Sequence, residues 1–406
     1  MPARRTIIAV AASLLVVLTG TITPWQAFRA INWNVMGIFV GTLAVADVFM
    51  ESCVPAWLAE LIVNKAKNTT WSILLICLMT GFISAFVENV ATVLIIAPVA
   101  LALAKKLQIN PMNMMIGIII SSNLQGAATL IGDPPSMLLA GFAKMTFGDF
   151  FFYHGRPSIF FAVEIGAAAS LVVLYLVFKK HHQKVQLVPV EKVKSWTPTV
   201  LLVVLIIALA ASSFFDTGFS YMAGIICVIF GIVSLLWQKF VSKTSVLAGI
   251  KSLDWDTTLF LAGIFVLIGS VTSNGWIESI ADSLSKVVGQ NIFLGYTLLV
   301  FISMFVSAFV DNVPFLAAML PVAISMAGRL NMSPSLFLFG LLIGASLGGN
   351  ITPIGASANI VGCGILKKEG YNVKFTDFVK IGLPFTLAAV GAAYIFVWFV
   401  WAASSK

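Results

Sequence analysis

Charge is scarce in this sequence. Of 406 residues only 16 are Asp or Glu and 24 are Lys or Arg, so charged side chains make up 10% of the chain while apolar ones make up 60%. A soluble domain carries about a quarter charged residues, and a water-soluble fold of this size buries no more than about three-quarters of its surface. The apolar excess therefore has to face lipid. That excludes a soluble enzyme, a nucleic-acid-binding domain and a disordered scaffold. Histidine, with three residues, and cysteine, with four, are also rare. Cys53, Cys77, Cys227 and Cys363 lie far apart and mostly within apolar runs, so neither a disulfide framework nor a CxxC metal site is indicated. A membrane enzyme would need a nucleophile–base pair or a metal cluster, for which these residues are too few and misplaced. No Gly-Lys-Ser/Thr follows the Gly-Gly-Asn of 348–350, which excludes a phosphate loop. The net charge of +8 reads as basic loops beside lipid, not as affinity for nucleic acid.

What the chain does have is long apolar runs. Segments of bilayer-crossing length, about 17–25 residues, are predicted near 6–23, 33–50, 157–178, 198–214, 219–237, 256–273 and 383–402. Two further regions, 71–104 and 293–330, are apolar for nearly twice that length, each with a carboxylate–Asn pair in the middle. Two others, 113–146 and 335–366, are apolar at both ends and rich in Gly, Pro, Ser and Thr between. The first run follows Arg4 and Arg5 like a signal peptide, but Thr23-Pro24-Trp25 follows it with no small-x-small cleavage site, so it is expected to remain as a span.

Suppose that the two long regions dip in and return as re-entrant hairpins and that the two interrupted regions each cross once as broken helices. Eighteen basic residues then face inward and six outward, as the positive-inside rule requires. This predicts nine crossings in the plasma (inner) membrane, a cytoplasmic N-terminus, an outside C-terminus, and no Lys or Arg in the membrane core. Asp47 and Glu51 are expected at the inner interface, and Glu164 at a water-reaching outer end. His181 and His182 fall in a solvated basic loop, and the tryptophans near span ends, from Trp25 to Trp401, read as interfacial anchors.

The two halves match. SAFVENV at 84–90 aligns with SAFVDNV at 307–313, an offset of 223. The same offset carries Pro98 to Pro321, Gly126 to Gly349, Thr129 to Thr352 and Gly132 to Gly355. Upstream, the Trp33 region faces the Trp255 region at an offset of 222. Constant spacing over so long a stretch indicates duplication. An odd number of crossings separates Trp33 from Trp255, so the copies are inverted, which points to a secondary transporter with its site near the midplane. The fold expected is an all-α polytopic membrane protein of two inverted-topology repeats, each with a re-entrant helical hairpin and a broken transmembrane helix. The first repeat is placed over 1–180, a basic cytoplasmic linker over 181–197, and the second repeat over 198–406, with one more leading span in the second copy.

Backbone leaves the helix at membrane depth only where protein or a watery cavity satisfies it. The four breaks therefore mark the site. They offer freed carbonyls for a cation and helix N-termini for an anion or polar solute. Glu88 and Asp311 hold the same repeat position, and an ionisable group within a membrane is a functional candidate by default. Each either binds a proton or Na+ or only caps the second helix of its hairpin, and both roles can coexist. Asp133 has no acidic counterpart, since Ala356 stands at its repeat position; it either binds a cation or only stabilises the Gly-Asp-Pro-Pro turn. Neutral hydrogen-bonding groups at or beside the breaks are Asn89, Thr92, Asn123, Gln125 and Thr129 in the first copy. In the second they are Asn312, Ser346, Asn350, Thr352 and Asn359.

At SAFVENVATVLIIAPV (84–99), NLQGAATLIGDPPSMLLAG (123–141), SAFVDNVPFLAAMLPV (307–322) and GASLGGNITPIGASANIV (344–361) the chain resembles the ion transporter superfamily. Within it, the resemblance is to the branch of arsenite permeases, sodium–proton antiporters of the D type, silicon efflux transporters and the melanosomal P protein, which share a citrate-transporter-like domain. The resemblance implies a homodimer of protomers, each with a scaffold and a transport domain. Coupling-cation sites would fall at Glu88, Asn89, Gly132 and Asp133, and at Asp311, Asn312 and Gly355. An ATPase partner is another implication. No cofactor is expected beyond bound Na+. The tips lack the Ser-Asn-Thr of dicarboxylate-carrying relatives, which disfavours a citrate or succinate symporter, and paired inverted breaks suit alternating access better than a channel. The expected activity is proton- or sodium-coupled export of a small inorganic oxyanion or metalloid hydroxide such as arsenite or silicic acid, with Na+/H+ antiport as the alternative.

Overall fold

A computed structural model describes residues 2–180, 192–216, 218–243 and 245–402. Residues 181–191 of the expected linker, with His181 and His182, lie outside the described residues. The first half runs α1 (Pro2–Leu18), α2 (Pro24–Ala30), α3 (Trp33–Glu51), α4 (Val54–Lys65), α5 (Thr69–Ser84), α6 (Asn89–Leu107), α7 (Met112–Gly126) and α8 (Pro134–Ala143). A small antiparallel pair, β1 (Phe152–Tyr153) and β2 (Arg156–Pro157), leads to α9 (Ile159–Phe178). The second half runs α10 (Thr197–Ser212), α11 (Met222–Trp237), α12 (Val246–Ser252), α13 (Trp255–Ser273), α14 (Trp276–Val288), α15 (Ile292–Ser307) and α16 (Asn312–Arg329). It ends with α17 (Ser335–Gly348), α18 (Ser357–Lys368) and α19 (Phe375–Trp401). The expected hairpins are α5–α6 and α15–α16, and the expected broken helices are α7–α8 and α17–α18. Seven of these helices are both long and apolar enough to cross a bilayer.

Helix starts repeat as faithfully as the apolar runs do. Asn32 and Asp254 each accept the backbone N–H three residues on, of Val35 and Thr257, at 3.1 and 2.9 Å. Asn68 and Asn291, again 223 apart, cap α5 and α15 through Trp71 and Leu294 at 3.1 and 3.0 Å. Such a side-chain acceptor satisfies one of the four N–H groups that every helix start leaves unpaired. The indole N–H groups of Trp33 and Trp255 donate to the carbonyls of Phe28 and Ile250 at 3.1 and 2.7 Å. They therefore lock the corner before each span as well as facing outward. Trp401 departs from its expected role as an anchor: it is 3% exposed and donates to the Pro157 carbonyl.

Four short or amphipathic helices, α2, α4, α12 and α14, join the expected elements. α4 and α14 occupy equivalent places between a span and a hairpin, and each starts after a left-handed residue, Cys53 (φ 60°) and Gly275 (φ 74°). In α14 the buried residues Ile277, Ala281 and Val288 fall on one face, the pattern of a helix lying along the protein rather than crossing lipid.

The leading helices pair across the repeats. α1 packs parallel to α13, with Thr6 bonded to the Asp256 carbonyl and Ser13 to that of Gly263. α11 packs on α3 in the same sense, through Asn34 and Gly224 and then Gly41 and Cys227. α10 has no counterpart in the first copy, which leaves the second with its extra leading span. On the other side, α9 packs against α19, its counterpart in the second copy, through Gly166 and Ala389.

The α3–α11 contact is backbone on backbone. A Cβ added at Gly41 would lie 2.2 Å from the Cys227 carbonyl carbon. Gly41→Val is therefore expected to lower stability by about 3 kcal/mol, the upper part of the overpacking range, because neither helix backbone can yield alone. The apparent melting temperature of the purified protein checks this; an unchanged value would mean that the helices separate freely.

Candidate functional site

Each hairpin tip is stapled to the break of its own copy. The Thr129 hydroxyl donates to the Ala85 carbonyl, and the Thr352 hydroxyl to that of Ala308. The same hydroxyls accept from the N–H groups of Ile131 and Ile354 at 3.4 and 3.3 Å. Backbone that has left the helix at membrane depth is thereby paired within the protein. Gly132 and Gly355 sit where tip and break approach: a Cβ there would lie 2.3 Å from the Gly126 carbonyl oxygen and 2.6 Å from that of Gly349.

The tips cap their helices with carboxylates. Glu88 accepts from the Ala91 N–H at 2.9 Å and Asp311 from the Val313 N–H at 3.1 Å. Asp133 caps α8, its Oδ1 accepting from both the N–H and the hydroxyl of Ser136 at 3.1 and 2.9 Å. Its Oδ2 is buried with no hydrogen-bond partner among the described residues.

Both tips open on one cavity of about 570 Å³. Glu88 and Asn89 reach it from the first copy, and Asp311 and Asn312 from the second. Pro134 and Pro135 of α8 and Ala356 and Ser357 of the second break line its flanks. The start of α1 and α13 adds Arg5, Asp254, Asp256, Thr257 and Phe260, and apolar side chains such as Ile354, Ile360 and Val361 complete the wall. Arg5 overturns one expectation. Charge counting assigns it to the inner face, leaving no Lys or Arg in the core, yet its guanidinium forms an ion pair with Asp311. It also donates to Ser357 Oγ at 2.9 Å. The cavity thus gathers four carboxylates (Glu88, Asp254, Asp256 and Asp311) against one guanidinium.

Behind the tips an asparagine cluster joins the repeats. Asn123 Oδ1 accepts from Asn89 at 3.0 Å, and its Nδ2 donates to Asn350 Oδ1 at 3.0 Å and Asn359 Oδ1 at 2.6 Å. Asn359 in turn donates to the carbonyls of Gly349 and Thr352 at 2.8 and 2.7 Å. Buried polar groups in so dry a setting are costly unless paired. In and beside this cluster, Asn350 Nδ2 and Ser346 Oγ have no partner among the described residues.

Of the expected site residues, Glu88, Asn89, Asp311 and Asn312 line the cavity, and Asn123, Asn350 and Asn359 form the cluster behind it. Thr129, Gly132, Thr352 and Gly355 join tip to break, Asp133 caps α8, and two residues turn elsewhere. Thr92 turns back on its own helix, bonding the Glu88 carbonyl at 3.0 Å. Gln125 lies instead in a separate cleft between α5 and α9, beside Gly81 and Leu171. The sequence reading missed Arg5, Asp254, Asp256, Thr257 and Phe260. The signal available was the face of α1 itself, where Arg5, Thr6 and Ser13 stand among apolar residues.

Inverted repeats whose tips and broken helices meet at a shared cavity define a membrane transporter. The citrate transporter family, CitMHS, matches residues 1–332 and 297–406, and the chain belongs to that family. A transporter of Mycobacterium tuberculosis is 29% identical over 406 residues, covering 97% of this chain and 93% of that protein. The mouse P protein is 25% identical over 452 residues, covering 90% of this chain and 54% of its own length. Among solved structures, the YdaH transporter of Alcanivorax borkumensis shares the fold at a TM-score of 0.61 and 15% identity, over 95% of this chain and 88% of that one. MtrF of Neisseria gonorrhoeae matches at 0.59 and 15% identity, over 95% and 84%.

Proposed function

We propose that the protein is an ion-coupled secondary carrier that works by alternating access and exports a small uncharged hydroxylated solute, such as arsenite or silicic acid, with protons or Na+ as the coupling ion. The observation that carries this reading is the make-up of the cavity: four carboxylates, one guanidinium and the amides of Asn89 and Asn312. A substrate with several negative charges would meet net negative charge there, whereas a neutral hydroxide finds donors and acceptors at both tips and at the start of α13. Two cation positions are assigned to the tips and breaks, with Glu88, Asn89, Gly132 and Asp133 in one copy and Asp311, Asn312 and Gly355 in the other.

Na+/H+ antiport is the second reading, favoured by the unpartnered Oδ2 of the buried Asp133. Proteoliposomes containing a pH dye separate the two when Na+, Li+, arsenite, silicic acid and citrate are added singly. Proton movement with arsenite or silicic acid alone supports the carrier, and Glu88→Gln should then slow it at least tenfold. Proton movement with Na+ or Li+ alone replaces the carrier with the antiporter. Movement with citrate alone sinks both.

A further inference from the structure

The two tips are equivalent in sequence and unlike in their partners. In the first copy, Glu88 is bonded to a backbone N–H and Asp133 to Ser136, and among the described residues no Lys or Arg side chain pairs with either. In the second copy the position of Asp133 is Ala356, so the break adds no carboxylate to Asp311, and the others on that side, Asp254 and Asp256, come from the start of α13. Asp311 is met by Arg5. The guanidinium is gripped from several sides: Nη1 also bonds Ser357 Oγ at 2.9 Å, Nη2 reaches Thr257 Oγ1 at 3.4 Å, and the carbon lies 5.0 Å from the Phe260 ring centroid. A carboxylate with two hydroxyls is an oxygen set of the kind that a hard alkali cation takes. Arg5 belongs to neither the hairpin nor the break; it arrives on α1, which is bonded to α13 through Thr6 and Ser13.

We propose that Arg5 is a tethered cation: its guanidinium fills the cation position of the second repeat, so that only the Glu88–Asp133 position of the first repeat exchanges its ion. Arg5 neutralises Asp311, and a free cation entering beside it would sit within a few ångströms of a like charge that cannot be deprotonated. The first repeat has two carboxylates and no built-in counter-charge, so it remains open to Na+. Duplication made two positions, and one side chain removed the second from exchange. The inference rests on the ion-coupled reading above and deepens it.

Equilibrium binding of radioactive Na+ to the purified full-length protein at pH 8 tests it without any transport assay. Arg5→Gln should bind one more Na+ per chain than the unsubstituted protein, Arg5→Lys should bind the same number, and Arg5→Gln combined with Asp311→Asn should lose the gain. No gain in a folded Arg5→Gln protein overturns the proposal, and so does a gain that survives Asp311→Asn. Should Arg5→Gln not fold, Arg5→Cys in a background lacking Cys53, Cys77, Cys227 and Cys363 gives the same answer. A neutral methylthio label should then keep the extra Na+, and an aminoethylthio label, which restores the positive charge, should expel it. Extra binding that is indifferent to the label's charge overturns the idea. Because the readout is ion stoichiometry, a carrier that moves none of the solutes tried would refute the functional reading and leave this result standing.

Discussion

Asp311→Asn is expected to lower stability by about 2 kcal/mol and to abolish transport. Asparagine keeps the volume, and its amide oxygen can still accept the Val313 N–H that Asp311 accepts at 3.1 Å. What disappears is the charge. Arg5 then remains in the cavity wall with its main counter-ion gone, and its Nε is already buried without a partner. Breaking one side of a buried charge pair costs about 2–5 kcal/mol, and the low end applies because each side chain keeps about a quarter of its surface exposed. Arg5→Met added to Asp311→Asn should recover most of the lost stability, since two neutral groups leave no charge unpaired, while transport stays lost. A thermal-melt double-mutant cycle on purified protein reads the coupling. Additive losses would show that the two residues do not hold one another.

The architecture was legible because it is written in periodic apolarity and repetition, and both survive without tertiary information. The hairpins α5–α6 and α15–α16 and the breaks after Gly126 and Gly348 fall where the doubled motifs place them. The convergence of Glu88 and Asp311 on one cavity also followed, because equivalent positions in inverted copies meet near the shared axis. Arg5 was not legible in the same way. Counting positive charge treats every residue at a span end as facing water, whereas a long side chain extends several ångströms along its helix and reaches inward when a carboxylate waits there. α14 was missed for another reason. Its Ile277, Ala281 and Val288 carry a helical period, but the search for spans weighs mean apolarity, and an amphipathic helix has little. Gln125 shows the limit of motif reading: it sits amid site residues in sequence, yet one helical position turns it to the opposite face of α7.

The second large effect is expected from a single methyl group. Gly132→Ala should reduce transport more than tenfold and cost about 1–3 kcal/mol, the usual range for overpacking. Its Cβ would lie 2.3 Å from the Gly126 carbonyl oxygen and 3.0 Å from that of Ala85. Both are backbone atoms, one from the break and one from the hairpin tip, so no side chain can swing away to make room. Gly355→Ala meets the same arrangement in the second copy, at 2.6 Å from the Gly349 oxygen and 2.9 Å from that of Ser307. In each copy, then, carbonyl oxygens of tip and break converge on one glycine, and the convergence lasts only while that residue has no side chain. The Thr129 and Thr352 staples hold tip and break to this spacing, so the added methyl must strain them or spread the oxygens that a coupling cation would need. Gly364 and Gly391 have open space where a Cβ would go; both lie within helices, where alanine is favoured over glycine by about 0.5–1 kcal/mol. Gly364→Ala and Gly391→Ala should therefore leave transport intact and raise the melting temperature slightly. If Gly132→Ala transports like these controls, the close approach of tip to break is packing alone and the cation assignment at Gly132 fails. If both tight-glycine variants fold yet lose coupled flux, and Gly132→Ala alone also loses Na+ binding, the two repeats share a geometry while only the first uses it to exchange an ion.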